Sequence, residues 1–127
     1  LNKKEKLLIF GNDYPTPDGT GIRDYIHIMD LVEGHLDALK FVSGKKGSFA
    51  FNLGSEKGYS VLELIDSFKN VTGVKIPFEF TVRRKGDVAE CYANSNKALI
   101  EFGWKTTRNL DDMIFSAWKF KKFSINL

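Results

Sequence analysis

Residues 59–73, YSVLELIDSFKNVTG, carry the signals for both of their own boundaries. Ser60, followed three positions later by Glu63, makes a capping box in which each side chain satisfies the other's free backbone N–H. Val61, Leu64, Ile65 and Phe68 recur at the spacing of one helix face. Gly73 stands where a left-handed C-cap favours a residue without a Cβ. A helix bounded this firmly, lying between the strand-like runs SFAFNLG (48–54) and IPFEFTV (76–82), commits the chain to alternating strands and helices.

The rest of the chain continues that alternation. KLLIF (6–10) is short and β-rich. GNDYPTPDGTG (11–21) holds two of the three prolines and three glycines, the composition of an ordered loop rich in turns. RDYIHIM (23–29) alternates as a strand would, with Ile26 and Ile28 on one face and Tyr25 and His27 on the other. Asp30 is then expected to cap a helix over 31–42 whose stripe is Val32, Leu36, Leu39 and Val42. Pro77 belongs near the start of its strand or on a sheet edge. SNKALIEFG (95–103) reads as a short helix ended by Gly103. Leu110, Met113, Ile114, Ala117 and Trp118 mark a last helix, capped by Asn109 with Asp112 at the third position. The class is α/β or α+β in a single unit. The strands are few for a doubly wound sheet, so a sheet partner is expected to lie elsewhere.

Charge and cysteine content narrow the function classes. The 127 residues hold 19 Lys and Arg against 16 Asp and Glu, a net charge of +3. That suits a small anionic ligand and lacks the one-sided clustering of a nucleic-acid surface. The lysines at 3–6, 45–46 and 121–122 read as solvated surface. One cysteine allows no internal disulfide and fits a reducing, cytoplasmic setting. No apolar run is long enough to span a membrane. The sequence opens without Met and enters a strand almost at once, as a segment of a longer protein would.

Catalytic motifs are missing. There is no G-x-G-x-x-G and no Walker sequence. His27 and His35 have no partners at metal-ligand spacing and read as strand- or helix-surface residues. Cys91 lacks a neighbouring His and reads as a small buried hydrophobe. Asp111 and Asp112 suit a helix N-terminus better than an acid/base pair. Two places stand out: Arg23, just beyond the glycine loop, and RRKGD (83–87), at the end of a strand. Arginine presents a planar fork of donors that meets phosphate oxygens two at a time. Two such sites brought together would clamp a diphosphate, and Asp87 would accept hydrogen bonds from vicinal sugar hydroxyls. Simple surface charge is the alternative on residue types alone.

The runs LLIFGNDYPTPDGTGIRDYIHIMDLVEGHLDAL, FNLGSEKGYSVLELI, RRKGDVAECYANSNKA and FGWK resemble the C-terminal portion of the UDP-glucose 4-epimerases (UDP-galactose 4-epimerases). These belong to the extended short-chain dehydrogenase/reductase superfamily. The resemblance implies an α/β substrate-binding part, one domain over 1–127, lacking most of an N-terminal Rossmann domain. It places Arg23 and Arg84 on the diphosphate of a UDP-sugar, Asp87 on the uridine ribose and Phe10 beside the uracil. Cys91, four residues after Asp87, would line the sugar pocket, where a small residue leaves room for an N-acetyl group; otherwise it only packs.

The activity implied is inversion at C4 of a UDP-hexose by NAD-dependent oxidation and re-reduction. The family's NAD fingerprint and Tyr-x-x-x-Lys pair have no match here, so the resemblance puts NAD binding and catalysis outside this chain and leaves it inactive alone. A homodimer is implied for the longer enzyme, and self-association for this segment through an unpaired edge at FNLG. Two alternatives stay open: part of a related nucleotide-sugar epimerase or dehydratase, and a non-catalytic UDP-sugar-binding module.

Overall fold

A computed structural model describes residues 5–125 of the chain. The order is β1 (Leu7–Phe10), β2 (Ile22–Asp24), α1 (Ile28–Val42), β3 (Gly58–Ser60), α2 (Val61–Thr72), β4 (Phe78–Thr81), β5 (Glu90–Cys91), α3 (Asn96–Phe102) and α4 (Leu110–Ile125). Among the described residues the strands form two small sheets. β1 pairs in parallel with β4, Leu7 opposite Phe78 and Ile9 opposite Phe80. β2 lies between antiparallel β3 and parallel β5, so Arg23 stands opposite both Tyr59 and Cys91.

The helix ends follow local chemistry. Ser60 accepts from Glu63 N–H at 3.0 Å and donates its own N–H to Glu63 at 2.7 Å, and Gly73 closes α2 in the left-handed region. Asn109 and Asp112 exchange the same pair of bonds at the start of α4, and Gly103 ends α3. α2 and α4 pack through Ile65, Leu110 and Ile114, all buried, with Phe68 edge-on to Trp118 at 5.3 Å.

Between β2 and α1 the chain departs from its local pattern. Residues 25–27 leave the sheet, and α1 begins at Ile28 with His27 as its N-cap, accepting from Met29 N–H at 3.0 Å. His27 is therefore buried and not a surface histidine. Its Nε2–H donates to Ser116 Oγ at 2.9 Å, and that hydroxyl donates to Met113 O. His35 lies on the helix surface, bonded to Leu31 O.

Asp30 caps nothing. It sits inside the first turn of α1, fully buried, and accepts from Thr107 N–H and Oγ1–H and from Arg108 N–H and Nη1–H. Arg108 also pairs with Glu33 at 2.9 Å. Burial pulls the Asp30 carboxyl upward, but the bonds from Arg108 and Thr107 outweigh it and hold it below the ordinary carboxylate value. Alongside, Trp104 Nε1–H donates to Asp30 O at 3.0 Å. α1 approaches so closely there that a Cβ on Gly34 would lie 2.8 Å from the indole. The buried face of α1 is thus the one carrying Asp30 and Gly34. The apolar stripe of Val32, Leu36 and Leu39 faces outward, Leu39 by 66%.

Residues 48–54 form no strand. A strand needs a hydrogen-bonded neighbour, and Phe49 and Phe51 instead pack edge-on against Phe41 at 5.8 and 5.4 Å. The lysines at 45–46 and 121–122 are exposed, Lys45 resting on the Phe41 ring; Lys3 and Lys4 lie outside the described residues. Cys91 is exposed as well, which removes the reading of it as a buried hydrophobe. Among the described residues no helix is long and apolar enough to cross a membrane.

Candidate functional site

The turn-rich loop 11–21 is held by its own polar side chains. Asp18 accepts from Thr20 N–H at 2.8 Å and Oγ1–H at 2.7 Å, and from Ser60 Oγ. The Ser60 hydroxyl therefore ties the loop to the start of α2. Burial raises the Asp18 carboxyl, yet these bonds leave it below its ordinary value. The loop ends at β2, where Arg23 emerges. Asp24 beside it faces the other way, accepting from Ser55 N–H, Ser55 Oγ–H and Ala93 N–H at 2.6–3.0 Å. This fixes the strand on which Arg23 stands.

A cavity of about 230 Å³ opens where the end of β1, β2 and the β4–β5 loop meet. Phe10, Arg23, Arg84 and Asp87 line it together, with Tyr14 and Tyr25 completing its wall. Residues drawn from three separate stretches of sequence thus converge on one space. Arg84 Nε donates to Asp87 at 2.9 Å, and its guanidinium lies 4.8 Å from the Phe10 ring centre. Arg23 Nη1 donates to Ile22 O at 2.7 Å, while Nη2 stands 3.9 Å from Asp87. Asp87 N–H closes a turn onto Arg84 O at 3.2 Å, with Gly86 at φ +90°, a conformation that glycine takes without strain. Cys91 is not in this wall; it lies on β5 opposite Arg23.

Two neighbours of the site, Tyr25 and Tyr14, carried no clear sequence signal. Tyr25 reads as an ordinary strand residue, yet it borders the cavity; burial pushes its phenol above the usual value against the opposing charge of Arg23. Tyr14 is buried in the loop. Arg83 reaches across to Asp13, with Nε donating at 2.6 Å, and stacks 4.1 Å above the Tyr14 ring. That hydrogen bond holds the Asp13 carboxyl below its ordinary value. Only the second arginine of the RR pair faces the cavity.

The arrangement is one for binding. Two guanidinium forks and a carboxylate surround a small space bordered by aromatic rings, a set that matches phosphate and hydroxyl groups. No His or Lys stands in the lining to move a proton. Among the described residues no cluster of His, Cys, Asp and Glu is placed to hold a metal. A second groove, about 800 Å³ and bordered by Tyr25, Ile28, Met113 and Phe120, is almost wholly apolar. Its histidine, His27, is already engaged by Met29 and Ser116.

The family model described as GDP-mannose 4,6 dehydratase matches residues 1–116. The chain belongs to that family. Among curated relatives, the UDP-glucose 4-epimerase of Bacillus subtilis is 48% identical over 126 residues, which are 99% of this chain and 37% of that protein. The UDP-glucose 4-epimerase of Bifidobacterium longum, solved in complex with NAD+ and UDP, superposes with a TM-score of 0.92 at 42% identity, covering 98% of this chain and 37% of that one. The UDP-Glc/GlcNAc 4-epimerase of Campylobacter jejuni superposes with a TM-score of 0.84 at 38% identity, covering 95% and 37%.

The chain therefore spans a little over a third of the length of these relatives, and the matched region is their C-terminal part. The α/β class and the resemblance read from the residues are both borne out. The family model takes its name from a dehydratase, whereas the relatives matched over the same residues are epimerases.

Proposed function

We propose that the chain is the UDP-sugar-binding part of a UDP-glucose 4-epimerase, holding the nucleotide while the sugar reacts. The observation that carries this is the convergence of Phe10, Arg23, Arg84 and Asp87 on one cavity. In this reading the two arginines take the diphosphate, Asp87 takes the ribose hydroxyls and Phe10 borders the uracil. The reaction, interconversion of UDP-glucose and UDP-galactose, inverts C4 while the diphosphate stays in place. Binding energy from the non-reacting UDP then positions the reacting carbon. Titration calorimetry of the chain with UDP tests the reading. Arg23→Ala and Arg84→Ala should each weaken binding at least tenfold, and unchanged affinity in both would overturn it.

NAD does not fit this chain. α1, α2 and α4 each carry a carboxylate in the first turn, at Asp30, Glu63, and Asp111 with Asp112. Negative charge at a helix N-terminus opposes a pyrophosphate, and among the described residues no glycine-rich strand–helix turn is present. NAD binding and the catalytic Tyr and Lys are assigned to a part of the protein outside this chain, which leaves the chain alone inactive. A cytoplasmic protein, homodimeric at full length, completes the reading. The outward-facing stripe of α1 and the unpaired segment 48–54 support self-association of the chain by itself, and a strictly monomeric species by light scattering at high concentration would count against that.

Cys91 carries the finer specificity. It is small, exposed and placed on the strand beside Arg23. A residue of this size leaves room for an N-acetyl group, so acceptance of UDP-GlcNAc and UDP-GalNAc as well as UDP-glucose and UDP-galactose follows. The Campylobacter jejuni relative, 38% identical, is named for both sugar classes.

The second reading is a UDP-sugar-binding module without catalysis, or part of a related nucleotide-sugar epimerase or dehydratase. The dehydratase name of the matched family favours keeping the latter in view. Turnover of UDP-galactose by the longer protein decides between them.

A further inference from the structure

The two arginines facing the cavity already share an anion. Asp87 accepts from Arg84 Nε at 2.9 Å through one carboxylate oxygen and stands 3.9 Å from Arg23 Nη2 through the other. The 84–87 turn holds it there, with its N–H on Arg84 O and Gly86 at φ +90°. Asp87 is the innermost of the three, its side chain 23% exposed against 31% for Arg23 and 61% for Arg84.

We propose that Asp87 determines specificity as a counter-charge. It bars bare anions from the arginine pair and admits a diphosphate only when the same molecule brings vicinal hydroxyls. This rests on the reading of the cavity as a UDP site. A diphosphate approaching Arg23 and Arg84 meets a carboxylate between them and must displace it from both pairs. Inorganic pyrophosphate offers that carboxylate nothing in return, and the two like charges are left side by side. A ribose presents two O–H donors, which an acceptor-only carboxylate takes as charge-assisted hydrogen bonds. The repulsive element thus contributes to discrimination alongside the attractive ones.

The test is titration calorimetry of the chain with pyrophosphate and with UDP, in the parent and in Asp87→Asn, which keeps the side-chain shape and the turn. Asp87→Ser serves as a second variant. Thermal melts check that each is folded. Relief of two partly exposed ion pairs predicts pyrophosphate binding about 3–10-fold tighter in both variants. UDP gains the same relief at its diphosphate but loses the charge assistance of its ribose hydrogen bonds, the larger effect, so it should bind about 3–10-fold weaker. The two ligands therefore move in opposite directions.

Pyrophosphate affinity unchanged, reduced or undetectable in both folded variants overturns the proposal. Arg23→Ala and Arg84→Ala separate it from the reading beneath. If both bind UDP as the parent does, the UDP site itself is wrong. If both lose UDP while Asp87→Asn leaves pyrophosphate unaffected, the site stands and the counter-charge role falls.

Discussion

Arg83 and Arg84 are neighbours in sequence and opposites in the fold. Arg83 bonds Asp13 at 2.6 Å across the 11–21 loop, while Arg84 bonds Asp87 at 2.9 Å and lines the cavity. The first joins two loops. The second faces the cavity.

Removing the two arginines should therefore give different phenotypes. Arg84→Ala should lower UDP affinity about 10–100-fold with little change in melting temperature, the scale of a lost charge-assisted bond. Arg83→Ala should lower the melting temperature by about 2–5 °C and weaken UDP less, because Arg83 joins two loops through Asp13 and the Tyr14 ring and does not line the cavity. Calorimetry and thermal denaturation of the two variants, compared side by side, check this. Equal losses of UDP affinity would contradict the division.

The Asp30 network should be the polar site most costly to disrupt. Asp30 is fully buried and gathers four donors from Thr107 and Arg108. Asp30→Ala strands those donors and should cost about 2–4 kcal/mol, measured by urea denaturation. A loss below about 1 kcal/mol would show that the network contributes little.

Stability should fall in acid. The carboxyls of Asp13, Asp18 and Asp30 are held below their ordinary value of 3.8. A depressed value means that the unfolded chain binds protons more readily than the folded one. The stabilisation is thus complete above 3.8 and is lost as pH falls through the lowered folded-state values. Urea midpoints measured from pH 7 down to about pH 2 should decline in that window. Asp30→Asn should flatten the decline.

Tyr14→Phe should be neutral or stabilising by up to about 1 kcal/mol. The Tyr14 hydroxyl is buried and meets no hydrogen-bond partner among the described residues. Removing an unpaired polar atom relieves its desolvation cost. A clear loss of stability in urea denaturation would mean that the hydroxyl has a partner, an ordered water for example.

Cys91→Tyr tests the proposed role of Cys91 in sugar specificity. In the longer enzyme it should abolish turnover of UDP-GlcNAc while largely preserving that of UDP-glucose. Equal turnover of UDP-GlcNAc before and after the change would remove Cys91 from the specificity argument.

Elements written in local chemistry were legible from residues alone. The Ser60–Glu63 box, the Asn109–Asp112 pair and the glycines at 73 and 103 act over three or four positions, so adjacent residues contain the whole interaction. Arg23, Arg84 and Asp87 were legible as donors and an acceptor in search of partners. What depended on distant contacts was not. Asp30 has the chemistry of a cap, but its partners lie 77 and 78 residues away. SFAFNLG has the composition of a strand, yet pairing requires a neighbour that composition cannot supply. The stripe of Val32, Leu36 and Leu39 was read correctly as one helix face, while the side that packs was decided by Trp104. Short-range hydrogen bonds and backbone preferences can be read along the chain. Which face of α1 is buried, and which distant donors Asp30 gathers, follows only from surfaces that the completed fold brings together.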